Sequence, residues 1–271
     1  MTKMKQGKTL KILTIGNSFS EDAQAWLWPI AKKAGVENVY LGSMYIGGCD
    51  LDTHYNNAMT NAKAYTYRLN RDDQWIDHDG YTLAEAISSQ DWDFISFQQT
   101  SLKSGQESTF SKLLPLINYT KAQLRDNAHP TLVWHMTWAY QQGYFALNDY
   151  GGSQEVMYHA ITETVKKIVL PIEDLKIVIP SGTAIQNART SFVGDTLNRD
   201  ELHLSYDLGR YIAGLTFFKA LTGWDLGEDM YVPAGITEAQ RTVAVEAVNN
   251  AIEKPFEVTN SVYLTEEDAK R

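Results

Sequence analysis

Only one cysteine, Cys49, occurs in the 271 residues, which excludes an intrachain disulfide and a cysteine-rich metal site. Positive charge is also short: 24 Lys and Arg face 33 Asp and Glu, for a formal net charge of -9. Nucleic-acid phosphates require a basic face, so no nucleic-acid partner is expected. No apolar run approaches the ~20 residues that a bilayer-spanning helix needs, so no membrane span is expected. The polar, lysine-rich Met1 to Lys8 is followed by no apolar signal-peptide core. The chain as it stands is expected to be cytoplasmic, or periplasmic or secreted if a leader has been removed. Neither a phosphate-loop nor a dinucleotide glycine fingerprint is present, and no cofactor is expected.

What is present is an alternation of short apolar runs and longer amphipathic ones. That pattern predicts an α/β protein, with helices on both faces of a parallel sheet. Strands are read at Lys11–Ile15, Asn38–Leu41, Phe94–Phe97, Leu132–His135 and Lys176–Ile179. Helices are read at Glu21–Ala34, His54–Tyr67, Leu83–Ser88, Ser111–Asn127, Gln154–Val169, Tyr206–Leu221 and Glu238–Ile252. Right-handed crossovers would build these into a three-layer α/β/α sandwich around a five-stranded parallel sheet, flavodoxin-like. One domain is expected over residues 1–271, long enough to bury a core without a disulfide or metal as a staple. Ala64 to Tyr81 alternates polar and apolar residues around Asn70-Arg71-Asp72-Asp73, the pattern of a hairpin insertion.

Two short segments carry chemistry. Ile12-Leu13-Thr14-Ile15-Gly16-Asn17-Ser18 is an apolar strand that breaks at a glycine and presents a serine. Far along the chain, Asp200-Glu201-Leu202-His203 sets a carboxylate three residues before a histidine. A serine nucleophile needs a base, and the base needs a third group to orient it. Ser18, His203 and Asp200 could fill those roles. Each also has a plainer reading. Ser18 with Glu21 forms a capping box, Asp200 is a turn residue, and His203 is a surface histidine.

The Gly16-Asn17-Ser18-Phe19-Ser20 start, the Gly47-Gly48-Cys49-Asp50 loop and Asp200 through Ser205 together resemble the SGNH, or Gly-Asp-Ser-Leu-like, hydrolases. The usual third block, Gly-x-Asn-Asp, is replaced by Gln98-Gln99-Thr100-Ser101, a departure that resembles a poorly characterised branch of that superfamily, a domain of unknown function. The resemblance implies a nucleophile at Ser18 and a backbone N–H donor at Gly48, with Gly47 as its alternative. An oxyanion hole would then combine Ser18, Gly48 and a side-chain amide. Strand alternation sends Gln98 and Gln99 to opposite faces, which favours Gln98 for that amide and leaves Gln99 as the alternative.

Substrate contacts are expected from Asn17, His135, Trp138, Tyr140 and Arg189. Trp138, Tyr140, Tyr144 and Phe145 crowd one loop, which can line a sugar cleft or pack as core and lid. His135 has a buried structural alternative, and Arg189 a structural salt bridge. Asp50, Asp52 and His54 have a spacing that shares one face only on a strand, and a helix is expected there, so no metal site is assigned. Ser18, Asp200 and His203 therefore point to a metal-independent serine esterase, and the resemblance, with the aromatic loop, implies that it removes short acyl groups, acetyl above all, from a carbohydrate or other small-molecule or glycan ester. The alternatives are an inactive carbohydrate-binding protein on the same fold and a lipase or thioesterase. Oligomeric state is not legible.

Overall fold

The computed structural model describes residues 9–270. Its strands are β1 (Thr9–Gly16), β2 (Asn38–Tyr45), β3 (Tyr65–Asn70), β4 (Trp75–Tyr81), β5 (Phe94–Phe97), β6 (Thr131–His135) and β7 (Leu175–Ile179). They form one mixed sheet of seven strands in the order β4-β3-β2-β1-β5-β6-β7. The run β2-β1-β5-β6-β7 is parallel throughout. Counted along the chain, its order is the 2-1-3-4-5 of flavodoxin-type sheets.

The expected five-stranded parallel sheet is thus corrected to a seven-stranded mixed one. The segment read as an insertion is a hairpin, and it pairs antiparallel with β2. Its attachment has a physical cause: an edge strand exposes a row of unpaired N–H and C=O groups. The expected helix His54–Tyr67 is corrected as well. The helix there, α3 (Leu51–Thr60), ends where Asn61 turns left-handed at φ 47°. Beyond it, Tyr65 and Tyr67 alternate inward as β3.

One long helix over Glu21–Ala34 was also expected. Two short ones replace it, α1 (Ser18–Gln24) and α2 (Leu27–Lys33). Pro29 accounts for the break, because a proline ring clashes with the carbonyl four residues back, here Ala25, the residue that ends α1. The remaining helices are α4 (Leu83–Ser88), α5 (Leu113–Ala122), α6 (Gln154–Thr164), α7 (Ser181–Arg189), α8 (Leu208–Thr222) and α9 (Glu238–Glu253). The pattern reading had no counterpart for α7.

Helices α1, α2, α7, α8 and α9 pack with one another, as do α3, α4 and α5. The chain moves from β1 to β2 in one direction and from β5 to β7 in the other. Right-handed crossovers then place the two helix groups on opposite faces of the sheet. Leu10, Ile12, Leu13 and Ile15 of β1 are all buried, as a strand covered on both faces requires. The order reverses between β1 and β5, so the crevice beyond their carboxyl ends is where a ligand is expected to bind. Among the described residues, no helix is long and apolar enough to cross a membrane.

Candidate active site

At the end of β1 the chain must turn without a side chain. A Cβ on Gly16 would lie 2.2 Å from Ser20 Oγ and 2.9 Å from the Gln98 amide. Asn17 then caps α1 from an extended backbone, its Oδ1 accepting the Phe19 N–H at 3.0 Å. The cap is therefore Asn17, and the capping box read at Ser18 and Glu21 is not formed. Ser18 becomes the first helical residue with its hydroxyl free for another partner.

That partner is His203. Its Nε2 lies 2.8 Å from Ser18 Oγ, and its Nδ1 lies 2.8 Å from Asp200 Oδ2. The other carboxylate oxygen, Asp200 Oδ1, accepts the backbone N–H of His203 at 2.6 Å and of Leu202 at 3.2 Å. Glu201 takes a left-handed φ of 64° to close this tight turn. Partial burial alone would raise the Asp200 pKa, but the bonds from the His203 ring and backbone outweigh it and hold the carboxyl below its ordinary value. Beneath the imidazole, Phe19 stacks on Trp138 at 4.2 Å, and Trp138 Nε1 donates to Leu202 O at 3.0 Å.

A cleft of about 270 Å³ opens over these groups, with Ser18, His203, Gly48, Tyr45, Thr100 and Ser101 among its walls. Gly48 sits at φ +64° with no neighbour crowding it. Neither the Ser18 nor the Gly48 N–H has a backbone acceptor among the described residues. The glycine loop is tied down twice at its far end. Asn17 Nδ2 donates to Cys49 O at 3.1 Å, and Lys103 Nζ pairs with Asp50 Oδ2 at 2.5 Å. Burial works against the Asp50 carboxylate, yet Lys103 and the Thr53 N–H that it caps bring its pKa down to about 2. Asp50 is thereby engaged in capping α3, and buried His54 is bonded to Tyr65. A larger cavity of about 890 Å³, lined by Tyr158, Glu163 and Phe256, lies away from Ser18 and holds no paired nucleophile and base among the described residues.

The family model described as a domain of unknown function (DUF4886) matches residues 11–251. This chain belongs to the DUF4886 family. A DUF4886 family protein from Bacteroides uniformis ATCC 8492 is 39% identical, with 95% of this chain and 100% of that one covered at a TM-score of 0.89. A catalytic mutant of an acetylxylan esterase from Geobacillus stearothermophilus shares the fold at 12% identity and a TM-score of 0.54, covering 86% of this chain and all of its own. No curated protein matches.

In this DUF4886 protein several expected contacts lie beneath the cleft rather than in it. Gln98 does not reach its walls. Its Oε1 accepts from Ser20 Oγ at 2.5 Å and its Nε2 donates to Asn17 Oδ1 at 2.8 Å, so the amide braces the cap. Gln99 does face the other way, but its Oε1 accepts from Leu51 and Thr100 N–H and its Nε2 donates to Thr109. His135 is buried under Gln98, with Nδ1 3.2 Å from Gln98 Oε1, and desolvation pushes its pKa down to about 3. Trp138 is fully buried as the platform for Phe19. Tyr140 is buried and donates to Ser101 Oγ at 2.9 Å. Arg189 is buried in an ion pair with Asp195 at 2.9 Å and bonds to Ala139 O and Asn198. Asn17 alone of the expected substrate contacts lines the cleft.

Asp22 was missed. Fully buried one turn beyond Ser18, it accepts from Arg199 Nη1 at 3.0 Å, Arg210 Nη2 at 2.7 Å and the Leu204 N–H at 2.9 Å. The clamp fastens α1 to both flanks of the Asp200–His203 turn. Its signal was an acid on the inner face of the first helix and an arginine directly before Asp200.

Proposed function

We propose that this protein is a serine esterase that hydrolyses short acyl esters, acetyl above all, carried on carbohydrate alcohols. The observation that carries the reading is the continuous hydrogen-bonded series Ser18 Oγ, His203 Nε2, His203 Nδ1, Asp200 Oδ2, with both links at 2.8 Å. Such a series supplies nucleophile, base and orienting carboxylate without a metal.

In this reading His203 Nε2 takes the proton as Ser18 Oγ attacks the ester carbonyl. Asp200, held ionised by its bonds, keeps the imidazole in the tautomer with hydrogen on Nδ1. The developing oxyanion is met by the Ser18 N–H, at the positive end of α1, and by the Gly48 N–H. The third donor is the Ser101 hydroxyl. Tyr140 O–H donates to Ser101 Oγ from behind, which leaves the serine's own hydrogen free to turn into the cleft. The tetrahedral intermediate then collapses as His203 protonates the leaving alcohol, and water repeats the sequence on the acyl-enzyme. A cleft of about 270 Å³ suits a short acyl group. The fold shared with an acetylxylan esterase supports acetyl on a sugar as the first ester to try.

A fluorophosphonate probe with mass-spectrometric mapping tests the assignment. Adduct formation on Ser18, abolished in His203→Ala, is expected. Ester hydrolysis that persists in Ser18→Ala would overturn it.

A further inference from the structure

Beside the cleft lies a second, smaller pocket of about 180 Å³, lined by Glu21, Trp26, Arg68, Trp75 and Arg210. Its position is set by α1. Glu21 follows Ser18 by three residues, and helix residues three apart are surface neighbours. A wall residue of the one also lies against a wall residue of the other. Tyr45 lines the cleft, and the Arg68 guanidinium lies 5.7 Å above its ring and 5.8 Å from the ring of Trp75.

We propose that this pocket holds the pyranose ring of the alcohol half of the ester while its acyl group lies over Ser18. The assignment rests on the esterase reading and names where the sugar sits. A pyranose presents an apolar C–H face and a rim of hydroxyls, so its receptor needs an aromatic plane edged by planar, bidentate polar groups. Both are present. Trp26 and Trp75 are half-buried. Arg68 is fixed by Glu21 at 3.0 Å and by Asp77 at 2.9 Å. Arg210 is fixed by Asp22 and stacked at 4.7 Å on Tyr206, a ring 60% exposed three residues beyond His203. Trp26 Nε1 donates to Tyr206 O at 2.9 Å, which ties Trp26 to the segment leading into Arg210. A floor already held by ion pairs costs little ordering on binding. An acyl chain laid there would desolvate those charges with nothing in return, which argues for a sugar over a lipid.

The test compares methyl β-xylopyranoside triacetate with p-nitrophenyl acetate, which shares the acyl group and lacks the sugar. In Trp75→Ala the ratio of kcat/KM for the sugar ester to that for the aryl ester should fall about tenfold, the scale of one lost aromatic contact. Trp75→Phe should restore most of it, and Arg68→Gln should lower it again. An unchanged ratio in a folded Trp75→Ala protein overturns the subsite. Binding to the Ser18→Ala protein separates this failure from failure of the esterase reading. Saturation transfer from protein to sugar ring protons is expected in Ser18→Ala, and its loss on adding Trp75→Ala is expected too. Undiminished transfer in the double variant overturns the proposal, whatever Ser18 does.

Discussion

His203 Nε2 and Ser18 Oγ stand 2.8 Å apart although 185 residues separate them in the chain. Neither side chain holds that distance by itself. Asn17 fixes the start of α1, and the Asp200 carboxylate fixes the ring of His203. Ser18→Ala should therefore abolish hydrolysis of p-nitrophenyl acetate with the melting temperature nearly unchanged, because the serine is not the cap. Asn17→Ala is the contrast. It removes the cap, typically worth about 1 kcal/mol, and frees Gln98 and Cys49 O, so it should melt earlier. Full activity in purified Ser18→Ala, measured with thermal denaturation alongside, would end the argument.

Asp22 joins α1 to the turn that carries His203. Removing one partner of a buried ion pair typically costs about 3–5 kcal/mol, so Asp22→Ala should be severely destabilised. Asp22→Asn keeps the shape and some acceptor capacity, and should fold. Its kcat should drop more than its KM rises, because the turn it anchors places the base rather than the substrate. A variant that loses stability but keeps kcat would confine Asp22 to a structural role.

Two buried histidines couple stability to pH. Desolvation brings the pKa of His54 down to about 4, against a smaller opposing pull from Asp50, and that of His135 down to about 3. In the unfolded chain an ordinary histidine binds its proton near about pH 6.5. Below that pH the unfolded state holds protons that the folded state does not, so stability is full above it and falls as pH drops toward 4. Each histidine contributes a slope of up to about 1.4 kcal/mol per pH unit. Urea midpoints between pH 7 and 4.5 should show this decline, and His54→Phe should roughly halve it. A flat wild-type profile would contradict the burial of both rings in neutral form.

The parallel strands and the pairing of Asp200 with His203 were legible because their signals are local, whereas the approach of Ser18 from 185 residues away was expected from the resemblance to the SGNH hydrolases. Short apolar runs mark the strands, and a three-residue spacing sets the carboxylate on its histidine. What was not legible depended on partners distant in the chain. Nothing near Tyr65 says that its strand will pair with β2, and a helix reading fitted the same residues. Asn17 and Ser18 are both good caps, and partners distant in the chain separate them, Gln98 donating to Asn17 and His203 engaging Ser18. The two arginines that hold Asp22 arrive 177 and 188 residues later. Trp138 and Tyr140 looked like cleft aromatics because composition reports a crowd and not its depth.

The proposed third oxyanion donor makes the sharpest test, because Ser101 and Gln98 predict opposite phenotypes. Ser101 lines the cleft, with Tyr140 donating to its oxygen from behind. Gln98 lies under the cap with its amide given to Asn17 and its carbonyl to Ser20. Ser101→Ala should lower kcat with little change in KM, the mark of an interaction made only in the transition state. Loss of one such donor typically costs about 10²–10³ in rate. Ser101→Thr, which keeps the hydroxyl, should recover part of it, and Tyr140→Phe should show a weaker effect of the same kind. Gln98→Ala leaves the buried Ser20 hydroxyl and His135 Nδ1 without their partner, a loss of about 1–3 kcal/mol, so its first effect should be on melting. The reverse pattern, a stable Gln98→Ala protein with kcat lost and an active Ser101→Ala protein, would return the donor to Gln98 and require its amide to swing into the cleft when substrate binds.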